Sequence, residues 1–178
     1  MPGIDQALTF HPLGIAVMTV SDTRDQESDR SGALLAERVT RAGHRLEGRE
    51  IAIDDVAAIQ ALARRWIADP AIDIIITTGG TGFMPRDVTP EAIKPLLGRE
   101  MDGFAAVFHQ VSHSTIGVST LQSRAFGGQA GATFIFCLPG SPGACRDGWD
   151  QILAFELDSR FRPCSIAGLL PRLAHAVD

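Results

Sequence analysis

The run Ile72-Asp73-Ile74-Ile75-Ile76-Thr77-Thr78-Gly79-Gly80-Thr81-Gly82 constrains this chain more than any other stretch. β-Branched residues with almost no polar interruption read as a strand buried on both faces, as in a parallel sheet covered by helices. The strand breaks on Gly79, Gly80 and Gly82, which predicts positive φ there and a backbone able to approach a ligand closely. The block continues to Ala92 as TTGGTGFMPRDVTPEA. Within it Asp87 sets a carboxylate beside the loop, and Thr89-Pro90-Glu91 reads as N-cap, first-turn proline and first-turn acid. The apolar segment Ile93 to Leu97 follows. Strand, glycine turn, carboxylate and helix start, in that order, describe a phosphate cradle.

The rest of the chain supplies the same kind of unit. Residues 1–12 read as a flexible lead-in, and Gly14 to Val20 as a buried strand followed by a polar loop, Ser21 to Arg30. Ser31 to Ala42 carries Leu34, Leu35 and Val39 at helical spacing and stops at Gly43, a good C-cap. Leu46 to Ile53 is a second strand, after which Asp54 or Asp55 caps a helix with Val56, Ile59, Leu62 and Trp66 on one face. Ile72 to Thr78 is the third strand. A helix from Asp102 to about Gln110 follows, and then a less regular passage, Ser112 to Gly131. In that passage Ile116 to Leu121 suggests a short strand and SRAFGGQAG a loop. Ala132 to Leu138 is an apolar strand ending at Pro139-Gly140, and Ser141-Pro142 opens a helix with Cys145, Trp149, Ile152, Leu153 and Phe155. From Arg162 onward no strong pattern emerges. Strands alternating with helices predict an α/β fold in three layers, α/β/α, its sheet mostly parallel and joined by right-handed crossovers. A single domain spanning 1–178 is expected, with its core at about 13–164.

Composition removes several function classes. The net charge is −5 and no basic run occurs, so nucleic acid is not an expected partner. No apolar run approaches the roughly 18 residues of a membrane helix, and MPGIDQALTFHP lacks the charged-then-apolar form of a signal peptide. Cys137, Cys145 and Cys164 are odd in number and lack CxxC spacing, pointing to reduced thiols in a cytoplasmic protein. Lys94 is the only lysine, and GxxxxGK[ST] is absent. Any phosphate is therefore held by backbone N–H groups, arginine or a metal ion.

Ligands of such sheets sit beyond the carboxyl ends of the strands. Four loops leave those ends: Ser21-Asp22-Thr23, Asp54-Asp55, the Thr78-Gly79-Gly80-Thr81-Gly82 block with Arg86-Asp87, and Pro139-Gly140-Ser141-Pro142-Gly143. Each alone is an ordinary turn or cap, and their convergence is what points to a site. Two carboxylates, Asp54 and Asp87, facing a polyphosphate would repel it unless a divalent cation such as magnesium lay between them. Ser123 and Arg124, in STLQSR, offer a hydroxyl and a guanidinium for a phosphate or a planar ring, with an exposed loop arginine the equal alternative. His109 and His113 lie i,i+4 but lack an HExxH pattern, so they read as surface or satisfied histidines. SDTR after the first strand, in place of GxGxxG, argues against a dinucleotide-dependent oxidoreductase.

TVSDTR (19–24), TTGGTGFMPRDVTPEA (77–92), GF (103–104), STLQSRA (119–125) and LPGSPGACR (138–146) together resemble the MoaB/MogA family of molybdenum cofactor biosynthesis. DSRFRPC (158–164) is similar to the MoaB branch in particular. The resemblance implies a three-layer α/β domain that binds molybdopterin, a pterin monophosphate. It also implies that the protein adenylylates molybdopterin with ATP and Mg²⁺, releasing pyrophosphate. Asp87 matches the family's essential aspartate in RDVTP. Asp54 falls at its second functional aspartate, where this chain reads AIDD and leaves Asp55 as the alternative. Ser21, Asp22, Thr78, Gly79, Gly80, Thr81, Gly82, Arg86, Ser123, Arg124, Gly140, Ser141 and Pro142 become substrate-binding candidates, with Asp54 and Asp87 as catalytic metal ligands. The resemblance further implies a homotrimer or hexamer working with other enzymes of the pathway. The alternative function is a molybdopterin carrier without chemistry.

Overall fold

In the computed structural model, which describes residues 1–171, side-chain alternation along four parallel strands builds the layers. In chain order the strands are β1 (Gly3–Ile4), β2 (Gly14–Val20), β3 (Arg45–Ala52), β4 (Ile74–Thr78), β5 (Arg99–Glu100), β6 (Phe126–Ala130), β7 (Thr133–Leu138) and β8 (Phe161–Arg162). The helices are α1 (Arg30–Arg41), α2 (Val56–Ile67), α3 (Thr89–Ile93), α4 (Asp102–Ile116) and α5 (Pro142–Gly148). The last runs through a π-helical turn, Trp149–Leu153, into α6 (Ala154–Glu156). The main sheet has the order β3-β2-β4-β7-β6-β5, its first four strands mutually parallel and β6 antiparallel to both of its neighbours. The expected fold class is thus what the chain adopts.

Because successive strand residues face opposite ways, Ile15, Val17, Ile74, Ile76, Phe134 and Phe136 pack with Leu35, Val39, Phe104, Phe108, Trp149 and Leu153 on one face. Ala16, Met18, Ile75, Ile135 and Cys137 pack with Ile59, Leu62, Trp66 and Ile93 on the other. Helices α1, α4 and α5 form one outer layer, and α2 and α3 the other. Cys137 and Cys145 are buried free thiols and Cys164 is an exposed one.

Four expectations need correction. The lead-in is tied down, since β1 pairs antiparallel with β8 and the Asp5 N–H donates to the Arg160 carbonyl. Helix α4 runs on to Ile116, where Gly117 at φ +59 ends it. The expected strand at Ile116–Leu121 is instead a 3-10 run, Gly117–Gln122. The glycine-rich passage is a strand, β6, whose glycines admit close neighbours: a β-carbon on Gly128 would stand 2.6 Å from the Arg99 carbonyl oxygen. Of the expected domain, residues 172–178 lie outside the described residues.

Candidate active site

Parallel pairing of β2, β3, β4 and β7 brings their carboxyl ends to one edge, so all four predicted loops emerge side by side. Gly79 and Gly80 take φ of +104° and +63°, the left-handed region that glycine tolerates. Gly82 has no positive φ, contrary to expectation; it is needed for space, because a β-carbon there would lie 2.6 Å from Asp87 Oδ2. On Gly80 a β-carbon would stand 2.4 Å from Thr89 Oγ1 and 3.4 Å from Asp54 Oδ1. Both candidate catalytic carboxylates therefore lie against the glycine turn. Thr89 does not cap α3. It is the first helical residue, and its hydroxyl donates to the Gly79 carbonyl at 2.8 Å, locking turn to helix.

Asp54 and Asp55 have different surroundings. Asp55 is the N-cap of α2, accepting the Ala58 N–H at 2.9 Å, while it is Asp54 whose carboxylate lies by the glycine turn. Burial raises the Asp54 carboxyl above the ordinary carboxylate range, and the charges of Asp22 and Asp87 push it the same way. Asp87 Oδ2 accepts the Met84 N–H at 2.8 Å, closing the loop on itself.

Asp22 and the two arginines are committed inside the protein. Asp22 Oδ1 accepts the Asp54 N–H at 3.0 Å, and Oδ2 accepts Arg86 Nε at 2.9 Å. The Asp54 N–H, then Arg86, hold the Asp22 carboxyl below its usual range. Arg124 is not the free loop arginine one reading allowed. Its Nε donates to the Gly82 carbonyl at 2.8 Å, Nη2 to the Asp87 carbonyl at 2.6 Å, and Nη1 to Glu91. The guanidinium also lies 5.5 Å from the centroid of the exposed Phe83 ring. Arg124 clasps the glycine block from behind, and its own N–H donates to the buried Thr81's carbonyl at 2.8 Å.

Two concavities flank the block. A cavity of about 360 Å³ is walled by the expected Ser21, Thr78, Gly79, Gly140 and Pro142 together with the start of α1. Thr78 is buried and its hydroxyl donates to the Pro139 carbonyl at 2.9 Å, binding β4 to the β7 loop. Ser21 Oγ accepts the Thr23 N–H at 3.2 Å, and Ser141 Oγ caps α5 through the Ala144 N–H at 3.1 Å. Sequence reasoning missed Arg24, Ser28, Asp29, Arg30 and Ser31 in this wall. The signal was SDRSG: Asp29 is the buried N-cap of α1, accepting from Gly32 N, Thr19 Oγ1 and Arg49 Nη2. The other concavity, about 520 Å³, lies across Arg124 and is walled mainly by Pro90, Pro95, Met101, Phe126 and Lys94. Neither Asp54 nor Asp87 lines either cavity; the smaller one is at the strand ends, where Gly79 of the glycine turn is part of its wall. Ser123 Oγ accepts the Ala125 N–H at 3.2 Å, and His109 is satisfied by Thr120 at 2.9 Å.

A mostly parallel sheet with carboxylates, a glycine turn and two helix starts gathered at its carboxyl edge defines an α/β protein with a strand-end site. The family model described as a probable molybdopterin binding domain matches residues 16–159, and the chain belongs to the MoaB/MogA family of molybdenum cofactor biosynthesis proteins, on its MoaB branch. It is 45% identical over 156 residues to molybdenum cofactor biosynthesis protein B of Escherichia coli K12, covering 88% of this chain and 92% of that one. The Bacillus subtilis 168 protein of the same name is 39% identical over 142 residues, covering 79% and 84%. A solved molybdenum cofactor biosynthesis protein B superposes with a TM-score of 0.83 at 35% identity, over 93% of this chain and 98% of that one. The tungsten cofactor synthesizing protein MoaB of Pyrococcus furiosus does so at 0.72 and 28%, over 94% and 98%. No helix among the described residues is long and apolar enough to cross a membrane.

Proposed function

We propose that this chain is a molybdopterin adenylyltransferase, a single-domain cytoplasmic enzyme of molybdenum cofactor biosynthesis that uses Mg-ATP. The observation that carries the reading is the pair of carboxylates, Asp54 and Asp87, set against one glycine turn beside a polar strand-end cavity. A carrier would need the cavity but not both acids. As the resemblance implies, the enzyme is read as a homotrimer or hexamer that exchanges its pterin with other enzymes of the pathway.

The donor set fits magnesium. Asp54 and Asp87 offer hard carboxylate oxygens on either side of the glycine turn, the kind of donor magnesium takes. No group of three metal-binding side chains is disposed around one point among the described residues. Magnesium, which takes one or two carboxylates and fills its shell with phosphates and water, needs no such group. When bound, it supplies charge neutralisation for the polyphosphate.

In the reaction a phosphate oxygen of molybdopterin attacks the α-phosphorus of ATP. The new O–P bond forms as the bond to the β-phosphate oxygen breaks, and pyrophosphate leaves. A phosphate monoester with a second pKa of about 6 is largely ionised at neutral pH, so the chain need not supply a general base. Its contribution is positioning and charge stabilisation: backbone donors of Gly79 to Gly82, arginines Arg24 and Arg30 at the cavity wall, and the two carboxylates. The polar cavity suits phosphates, and the larger, more apolar hollow across Arg124 suits a ring system.

Incubation with molybdopterin and Mg-ATP should yield adenylyl-molybdopterin and pyrophosphate in equal amounts. Asp87→Asn should lower that rate by at least about 100-fold while pterin binding persists, as expected for lost transition-state charge compensation. Tight pterin binding by the wild-type chain with no adenylyl product would leave a carrier.

A further inference from the structure

Asp22 stands where three of the four loops meet. It lies in the loop after β2, one of its oxygens receives the backbone N–H of Asp54 in the loop after β3, and the other receives Arg86 in the loop after β4. A single carboxylate thus holds strand-end segments separated by 32 and 64 residues in sequence. The bond to Asp54 is made to its main-chain nitrogen, which is attached directly to the carbon that carries the carboxylate arm. Arg86 adjoins Asp87, so the same knot fixes the backbone beside the second carboxylate. With both oxygens engaged, Asp22 has little left to offer a substrate.

From this juxtaposition we infer that Asp22, with Arg86, is a positioning pair: it sets the separation and aim of Asp54 and Asp87 across the glycine turn and does not itself bind the pterin or nucleotide. The inference rests on the adenylyl-transfer reading for its kinetic consequence but not for its structural one. Charge-assisted bonds of this kind are among the stronger ones, and a displacement of about 1 Å in a reacting constellation can cost on the order of 100-fold in rate. The side chains of Arg86 and Asp22 are both solvent-accessible, so the energy of the pair lies mostly in loop geometry and little in global stability.

The test compares Asp22→Ala, Asp22→Asn and Arg86→Ala in the full chain, with amide hydrogen exchange measured on the ligand-free proteins beside steady-state kinetics. Asp22→Ala should speed exchange at residues 53–55 and 82–87, and should lower kcat by about 10- to 100-fold with KM for molybdopterin nearly unchanged. Asp22→Asn keeps an oxygen for the Asp54 N–H but cannot pair with a guanidinium, so it should restore slow exchange at Asp54 alone and part of the rate. The double variant Asp22→Ala/Arg86→Ala should be no worse than Asp22→Ala, since both remove one interaction. A raised KM with unchanged kcat and unchanged exchange would overturn the inference and make Asp22 a substrate contact. If the wild-type chain transfers no adenylyl group, the functional reading fails, while exchange at Asp54 and residues 82–87 still decides whether Asp22 holds them.

Discussion

Asp54 and Asp55 are neighbours with the same side chain and different surroundings. Asp55 points back along α2 and satisfies the Ala58 N–H, so Asp55→Ala should cost about 1 kcal/mol of stability, the usual value of an N-cap, and leave adenylyl transfer nearly intact. Asp54 should behave in reverse. Its carboxyl is raised in the folded state by burial and by Asp22 and Asp87, so the folded chain holds that proton more tightly than the unfolded one. Stability then falls as pH rises from the ordinary carboxylate range, near 3.9, through the raised value. Asp54→Asn should therefore raise the melting midpoint at pH 7, have no such effect at pH 3, and abolish transfer. Melting curves of both variants at the two pH values check this. Gly79→Ala is the harshest small change in the block, because it meets both the left-handed backbone, at about 1–2 kcal/mol, and the Val20 carbonyl oxygen, 2.3 Å from the added β-carbon. It should lower the midpoint and the activity together.

Elements built on long apolar or amphipathic runs, β2, β4, β7, α1 and α2, are legible because burial demands a residue type that periodicity exposes. Strand β6 is not. SRAFGGQAG reads as a loop, yet Gly127 and Gly128 are small because Phe136 and the Arg99 carbonyl crowd them. Packing against neighbours, a property of the assembled sheet, decides their identity. The same holds for Arg124, whose position in STLQSR says nothing of the carbonyls of Gly82 and Asp87 that it clasps. A lysine offers one compact charge in place of a planar fork, so Arg124→Lys should loosen the turn behind Asp87. Transfer should fall by about 10-fold or more, and residues 80–88 should exchange faster. Normal rates and protection in that variant would remove the clasping role assigned to Arg124. The four loops, and Asp87 within its motif, were readable from strand ends and glycine spacing; which acid faces inward and which caps needed the backbone path.

At the scale of the whole molecule, the chain carries one group suited to report acid stress away from the site. His44 accepts the Leu13 N–H through Nδ1, packs beside Phe10 and Trp149, and is pushed by burial down to about 4. The unfolded chain takes up that proton near 6.5, so the folded state loses stability as pH falls from about 6.5 towards about 4 and loses no more from this group below it. Urea unfolding at pH 7, 6, 5 and 4 should show that decline. His44→Gln, with a lower but flatter stability, should lose most of the slope in this window.

The strand order β3-β2-β4-β7 has a consequence for how a newly made chain acquires its chemistry. The loops that meet at the carboxyl edge are encoded near residues 21, 54, 80 and 140, and parallel strands cannot close a hairpin early. The wall of the polar cavity that contains Gly140 and Pro142 arrives only once β7 has inserted beside β4. A growing chain on the ribosome thus contains both acidic loops before it contains the last wall of the pocket. The cavity that would receive a phosphorylated ligand is completed by the last strand of the main sheet to be made.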